Sequence, residues 1–158
     1  MLVRPFNTYG PRQSARAIIP TIISQLLNGK KSIVLGNLSP TRDLTYVTDT
    51  CEGFYEIYNS DTLFGEVTNI GMNSEISIGA LALLIASIID VDIKIQKTEK
   101  RLRPENSEVE RLVCDNTRLT NNTVWKPKYK LKTGLSIVIE WMKKLENLKL
   151  YKAGSYNV

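Results

Sequence analysis

Arg4-Pro5-Phe6-Asn7-Thr8-Tyr9-Gly10-Pro11-Arg12-Gln13, directly after the apolar Met1-Leu2-Val3, is the stretch whose reading decides the fold. Met1 to Val3 reads as the tail of an apolar strand, so the chain has the look of a polypeptide cut near its start. Pro5 fixes its own φ and lacks an N–H, and Gly10-Pro11 signals a turn, so the segment is expected to leave a strand and bend across its carboxyl end. Ligands of open α/β sheets sit at that end. Asn7 carries an amide that donates and accepts, while Arg12 and Gln13 add donors suited to phosphate or sugar hydroxyls. An Asx-type turn beside a solvated arginine would account for the same ten residues, and the stretch alone leaves both readings open.

Working outward, residues 14–28 read as a helix with Ile18, Ile19, Ile22, Ile23, Leu26 and Leu27 at helical spacing and Asn28-Gly29 as its stop. Ser14 is a fair N-cap, but Pro20 places the start of regular helix near itself. Residues 32–35 form a short strand, and residues 41–47 alternate as a second. Thr48 or Asp49 is expected to cap a helix over 50–59, with Cys51, Phe54, Tyr55 and Tyr58 on its apolar side. A buried strand over 67–70 is stopped by Gly71, and Ser77 caps an apolar helix over 78–89. Residues 91–96 alternate as a strand, residues 97–106 read as loop, and 107–113 hold room for an edge strand. A helical turn over 115–119, an extended 125–129 and a helix over 134–148 capped by Thr133 complete the chain. Short strands alternating with helices specify an α/β domain, with too few strands for a complete doubly wound sheet.

Composition sets limits on function. The 158 residues, 42% of them hydrophobic, suffice for one domain with a core, and the net charge of +5 is spread along the chain rather than gathered into an arm. That balance suits an anionic small ligand and gives no nucleic-acid footprint. There is no histidine, which excludes Ser-His-Asp, Cys-His and His-metal chemistry within this chain. Cys51 and Cys114 have neither metal-ligand spacing nor a disulfide framework and read as reduced, buried or half-buried thiols. No signal peptide or membrane span is expected, since the apolar run 78–89 is too short.

Arg12, Arg42 and Arg103 each stand beside turn residues, where a guanidinium could grip a diphosphate bidentately. Asp43 is better read as a turn acceptor or a local ion-pair partner of Arg42. Two signatures are missing. No glycines form a G-x-G-x-x-G pattern, and none of the seven tyrosines has a lysine four residues on.

Four blocks then resemble one family in order and spacing: residues 4–13, Thr41-Arg42-Asp43-Leu44-Thr45-Tyr46-Val47-Thr48-Asp49, Thr68-Asn69-Ile70-Gly71, and Arg101-Leu102-Arg103-Pro104-Glu105-Asn106-Ser107-Glu108-Val109. They are similar to the extended short-chain dehydrogenase/reductases acting on nucleotide sugars, and most similar to the NAD-dependent 4,6-dehydratases of legionaminic acid biosynthesis. The dTDP-glucose and GDP-mannose dehydratases and UDP-hexose 4-epimerases share these blocks. The resemblance implies an incomplete Rossmann-like fold in which residues 1–158 are the substrate-binding portion, without the cofactor-binding half.

The resemblance also implies roles, one residue at a time. Pro5 and Phe6 match the strand-end pair beside the nicotinamide of NAD, and Asn7 the amide that holds the diphosphate of the nucleotide sugar. Ile18 and Ile19 match a segment lining the base, Ile33 and Leu35 a second wall, and Arg42 and Arg103 a diphosphate clamp. The expected ligand is UDP- or GDP-N-acetylglucosamine, with no nucleic-acid or membrane partner and a cytoplasmic setting. In the family, NAD oxidises C4 of the sugar, water leaves across C5 and C6, and the hydride returns to C6. The residues for that work, and the helices that usually pair two subunits, lie in the half not represented here. A stand-alone nucleotide-sugar binding module, without catalysis, is the alternative from another class, and a degenerate remnant without a ligand is a third.

Overall fold

The computed structural model describes residues 1–98 and 109–151. The opening stretch changes partner part-way. Strand β1 (Leu2–Pro5) runs parallel to β6 (Val67–Ile70), with Val3 opposite Thr68; after Phe6, β2 (Asn7–Tyr9) runs parallel to β5 (Leu44–Tyr46). Pro5 costs the β1–β6 ladder nothing. The N–H groups of Leu2 and Phe6 bond to β6, and alternation turns the missing donor of Pro5 outward.

Parallel pairs need long crossovers, and helices supply most of them. Between β2 and β5 lie α1 (Ile18–Leu27), β3 (Ser32–Leu35) and β4 (Thr41–Arg42). Strand β3 pairs in parallel with β8 (Lys94–Lys97), while β4 lies between β7 (Ile76–Ser77), antiparallel, and β9 (Arg111–Leu112), parallel. The remaining elements are α2 (Val47–Tyr58), a 3-10 turn (Asp61–Leu63), α3 (Ile78–Ile89), α4 (Thr117–Asn122), α5 (Leu131–Lys143) and α6 (Leu145–Leu148). The α/β class expected from the alternation is the one found.

Two cores hold these elements. The larger joins Ile19, Ile22, Ile23 and Leu26 of α1, Leu81 and Ile85 of α3, and Leu135, Val138, Ile139 and Met142 of α5 around Tyr9 and Tyr46. The smaller is built from Ile57, Leu63, Ile70, Leu119 and Trp125, with Val3 against it. Each enclosed Ile or Leu contributes about 1.5–3 kcal/mol of transfer free energy.

Several expectations need correction. Strand 41–47 is two short strands in different sheets, broken at Asp43, and the following helix starts at Val47 rather than after a Thr48 or Asp49 cap. Asp49 turns inward instead, taking the N–H of Lys128 and Tyr129, with its carbonyl on Trp125 Nε1. The final helix starts at Leu131, earlier than a Thr133 cap would allow, and ends at Lys143. Phe54, Tyr55 and Tyr58 are 43%, 64% and 79% exposed and Cys51 is exposed too, because α2 buries the narrow stripe Thr50, Gly53 and Ile57. Ile137 and Leu145 are also exposed. Ser77 caps α3 as expected, its Oγ accepting from the Ala80 N–H.

Candidate functional site

The candidate site is organised by a residue that sequence reading assigned a minor part. Asp43 is fully buried between β4 and β5, and its carboxylate accepts from the backbone N–H of Met72 (2.8 Å), Ser74 (3.3 Å) and Cys114 (3.1 Å). Its own N–H donates to the Leu112 carbonyl at 2.9 Å, and its carbonyl accepts from Asn7 Nδ2 at 3.3 Å. It is an acceptor, as expected, but of long-range rather than turn-local bonds. Gly71 has no side chain because Cys114 is already there: an added Cβ would lie 2.3 Å from Cys114 Cβ. Burial pushes the Cys114 thiol up to about 12, with Asp43 and Asp115 adding to it. It is a packing group at physiological pH.

Through this hub the Asn7 amide is tied to the backbone carbonyl of the residue after Arg42. The Arg42 guanidinium is oriented by Nη1, which donates to the carbonyls of Thr41 (2.8 Å) and Val109 (2.6 Å). Arg42 also lines a cleft of about 230 Å³ with Leu44, Met72, Ser74, Glu75, Ile76, Lys130 and Leu131. The carboxylate of Glu75 in that cleft is held by Arg111, through Nε at 2.9 Å and Nη2 at 2.8 Å, and by Thr41 Oγ1. The Arg111 hydrogen bond, then that of Thr41, keeps the Glu75 pKa below the ordinary carboxylate value.

The other expected site residues fall elsewhere. Ile19, Ile33 and Leu35 are enclosed, at 1%, 0% and 0% exposure, and Ile18 is half-buried. The side chains of Ile33 and Leu35 alternate inward with Ser32 and Val34 partly outward, so this strand would offer a base its Val34 side or its backbone. Pro5 is exposed and Phe6 half-buried, at the carboxyl end of β1. Arg12 is exposed with φ 67° at the third position of the turn Gly10 to Gln13, whose ends meet through Gln13 N and Gly10 O. A glycine is normally required there. Arg103 lies outside the described residues. Among the described residues, no cluster of three His, Cys, Asp or Glu could hold a metal, and no helix is long and apolar enough to cross a membrane.

The described residues thus hold a guanidinium oriented by two backbone carbonyls in a cleft that also carries Glu75 and Lys130, and a carboxamide that donates to the carbonyl of the residue after Arg42. Residues 1–138 match the family model of GDP-mannose 4,6 dehydratase. The chain belongs to that family, a nucleotide-sugar branch of the extended short-chain dehydrogenase/reductases. It is 30% identical over 157 residues to the dTDP-D-glucose 4,6-dehydratase of Homo sapiens, covering 96% of this chain and 43% of that one. It is likewise 30% identical over 151 residues to the UDP-N-acetyl-alpha-D-glucosaminuronate decarboxylase of Bacillus cytotoxicus, covering 92% and 47%. Among solved structures, the dTDP-glucose 4,6-dehydratase of Bacillus anthracis in complex with NAD superposes with a TM-score of 0.77 at 28% identity, over 91% of this chain and 44% of that one. The chain thus spans less than half the length of these relatives.

Proposed function

We propose that this chain is the substrate-binding portion of an NAD-dependent nucleotide-sugar 4,6-dehydratase and holds its ligand by the diphosphate. The observation that carries this reading is that Asn7 Nδ2 donates to the carbonyl of Asp43, the residue after Arg42, whose guanidinium lines the neighbouring cleft. Arg42 and Arg103 form the cationic clamp, Asn7 donates its amide to a phosphate oxygen, and the segment at Ile33 to Leu35 meets the base through its partly outward side. The sugar nucleotide of first choice is UDP- or GDP-N-acetylglucosamine. Dehydratase is preferred to 4-epimerase because the family model that matches is a dehydratase model.

When bound, NAD would accept and return the hydride at the sugar. Of its site this chain supplies one wall, Pro5 and Phe6 at the open end of β1; the exposure of Pro5 leaves that wall accessible. The chain itself orients the diphosphate and encloses one side of the sugar. It supplies no Tyr-x-x-x-Lys pair, so the proton transfers at C4 and C5 belong to residues outside it. Isothermal calorimetry with UDP- and GDP-N-acetylglucosamine tests the reading. One of the two is expected to bind, with Arg42→Ala and Arg103→Ala each costing about 2 kcal/mol, roughly thirtyfold in Kd. No heat with either ligand, from a chain that melts cooperatively, would leave the proposal without support.

A further inference from the structure

Two local costs fall on one turn, Gly10 to Gln13. Arg12 sits in the left-handed region at φ 67°, where a non-glycine residue is strained. Beside it the enclosed Oε1 of Gln13 has no hydrogen-bond partner among the described residues. Such costs persist where the surroundings over-determine the conformation. The turn's own closing bond, from Gln13 N–H to the Gly10 carbonyl, is long at 3.3 Å and supplies little of that restraint.

Most of it comes from Tyr151. The Tyr151 hydroxyl donates to the Gln13 carbonyl at 2.8 Å, across 138 residues of sequence. The ring behind that hydroxyl is fixed. It is 7% exposed, belongs to the larger core, and stands edge-on to Trp141 of α5 with ring centroids 6.2 Å apart and planes at 88°. The Tyr151 N–H donates to the Leu148 carbonyl at 2.9 Å, so α6 holds the backbone as well. A buried tyrosine needs an acceptor for its hydroxyl, and here the acceptor belongs to the turn that follows β2.

From Gln13 the restraint passes into β2. The Gln13 carboxamide donates through Nε2 to the Thr8 carbonyl at 3.0 Å, and Thr8 is the neighbour of Asn7. Asn7 needs that support, because the bond from its Nδ2 to the Asp43 carbonyl is long, at 3.3 Å, and fixes one end of the carboxamide. A ligand-binding group has to be held to within about 0.5 Å.

We infer that Tyr151 is a positioning residue for the candidate site: by gripping the Gln13 carbonyl it holds the turn and, through the Thr8 carbonyl, sets the Asn7 carboxamide for its ligand. The purpose of the grip rests on the diphosphate reading of Asn7, whereas the grip itself does not.

The test is Tyr151→Phe in the 158-residue chain, which keeps the ring against Trp141 and removes the donor. In the ligand-free 15N-labelled protein the Asn7 side-chain amide resonance is expected to move. The Gln13 N–H is expected to exchange about tenfold faster, while the amides of Ile57 and Ile70 in the smaller core keep their parent rates. Calorimetry with UDP- and GDP-N-acetylglucosamine is expected to show a Kd raised about fivefold for the ligand the parent binds. Faster exchange shared equally by Ile57 and Ile70 would make Tyr151 a stabilising residue alone and overturn the inference. An unmoved Asn7 resonance, or an unchanged Kd where the parent binds, would overturn it too. A parent that binds neither ligand removes the diphosphate reading instead, and Tyr151 then stands or falls on the Asn7 and Gln13 resonances.

Discussion

Asp43 concentrates more of the structure than any other side chain of the site, since it joins β4, β5, the loop after β6 and the entry to α4 through backbone donors. Replacing it with Asn turns one acceptor oxygen into a donor facing N–H groups. The cost is expected to be about 2 kcal/mol, and about 3 for Asp43→Ala, read as a shift in the denaturant midpoint. Arg12 offers the reverse effect. A left-handed non-glycine residue costs roughly 1 kcal/mol, so Arg12→Gly should raise stability by about that amount in the same assay, unless Arg12 has a ligand to hold. The thiols differ too. Cys51 should react with Ellman's reagent at pH 8 in the native chain, and Cys114, buried and with its pKa raised, only after unfolding. Equal reactivity of both would contradict the burial of Cys114. The motif reading singled out Asn7 and Arg42 because their residue types advertise hydrogen bonds. It gave Asp43 a lesser role because a carboxylate that serves backbone amides far away in sequence looks, in one dimension, like any aspartate beside an arginine.

At the scale of elements, β2 and α5 are locked together through one ring. Tyr9 is enclosed, its hydroxyl donates to the Leu131 carbonyl at 3.3 Å, and Gly134 leaves the space it fills: a Cβ there would sit 2.1 Å from the hydroxyl. Gly134→Ala should therefore destabilise by about 1–3 kcal/mol through overpacking. Burial first, then the neighbouring Tyr46 and Asp49, raises the Tyr9 pKa above its ordinary 10.0. The folded state thus holds this proton more tightly than the unfolded one, and its contribution is complete below about pH 10 and lost as pH rises beyond it. The melting temperature should fall as pH rises above about 10, and Tyr9→Phe should flatten that fall. The helix over 134–148 was legible from its apolar spacing, but its start was not. Gly134 reads as a helix boundary until the Tyr9 ring, 125 residues earlier, explains why it lies inside. In the same way the aromatic side of α2 follows helical periodicity and yet faces outward. Periodicity reports an apolar face but not what covers it.

On the scale of the molecule, the α/β class was legible in the alternation of elements, and the family in four short blocks, three of which lie mainly on described residues. The division of the strands among four small sheets was not, because pairing is settled by contacts between distant residues. Nor could the enclosure of Ile33 and Leu35 be read: both faces of a four-residue strand are apolar enough to be either wall or core. The central proposal is a diphosphate site organised from the backbone at Asp43 outward. The most direct measurement of it is nuclear magnetic resonance of the 15N-labelled chain during titration with UDP- or GDP-N-acetylglucosamine. The Asn7 side-chain amide and the Arg42 Nε resonances are expected to shift together, saturate at one common ligand concentration, and lose the response in Arg42→Ala. Shifts confined to other surfaces, with those two resonances unmoved at saturation, would contradict the assignment of the diphosphate to this site.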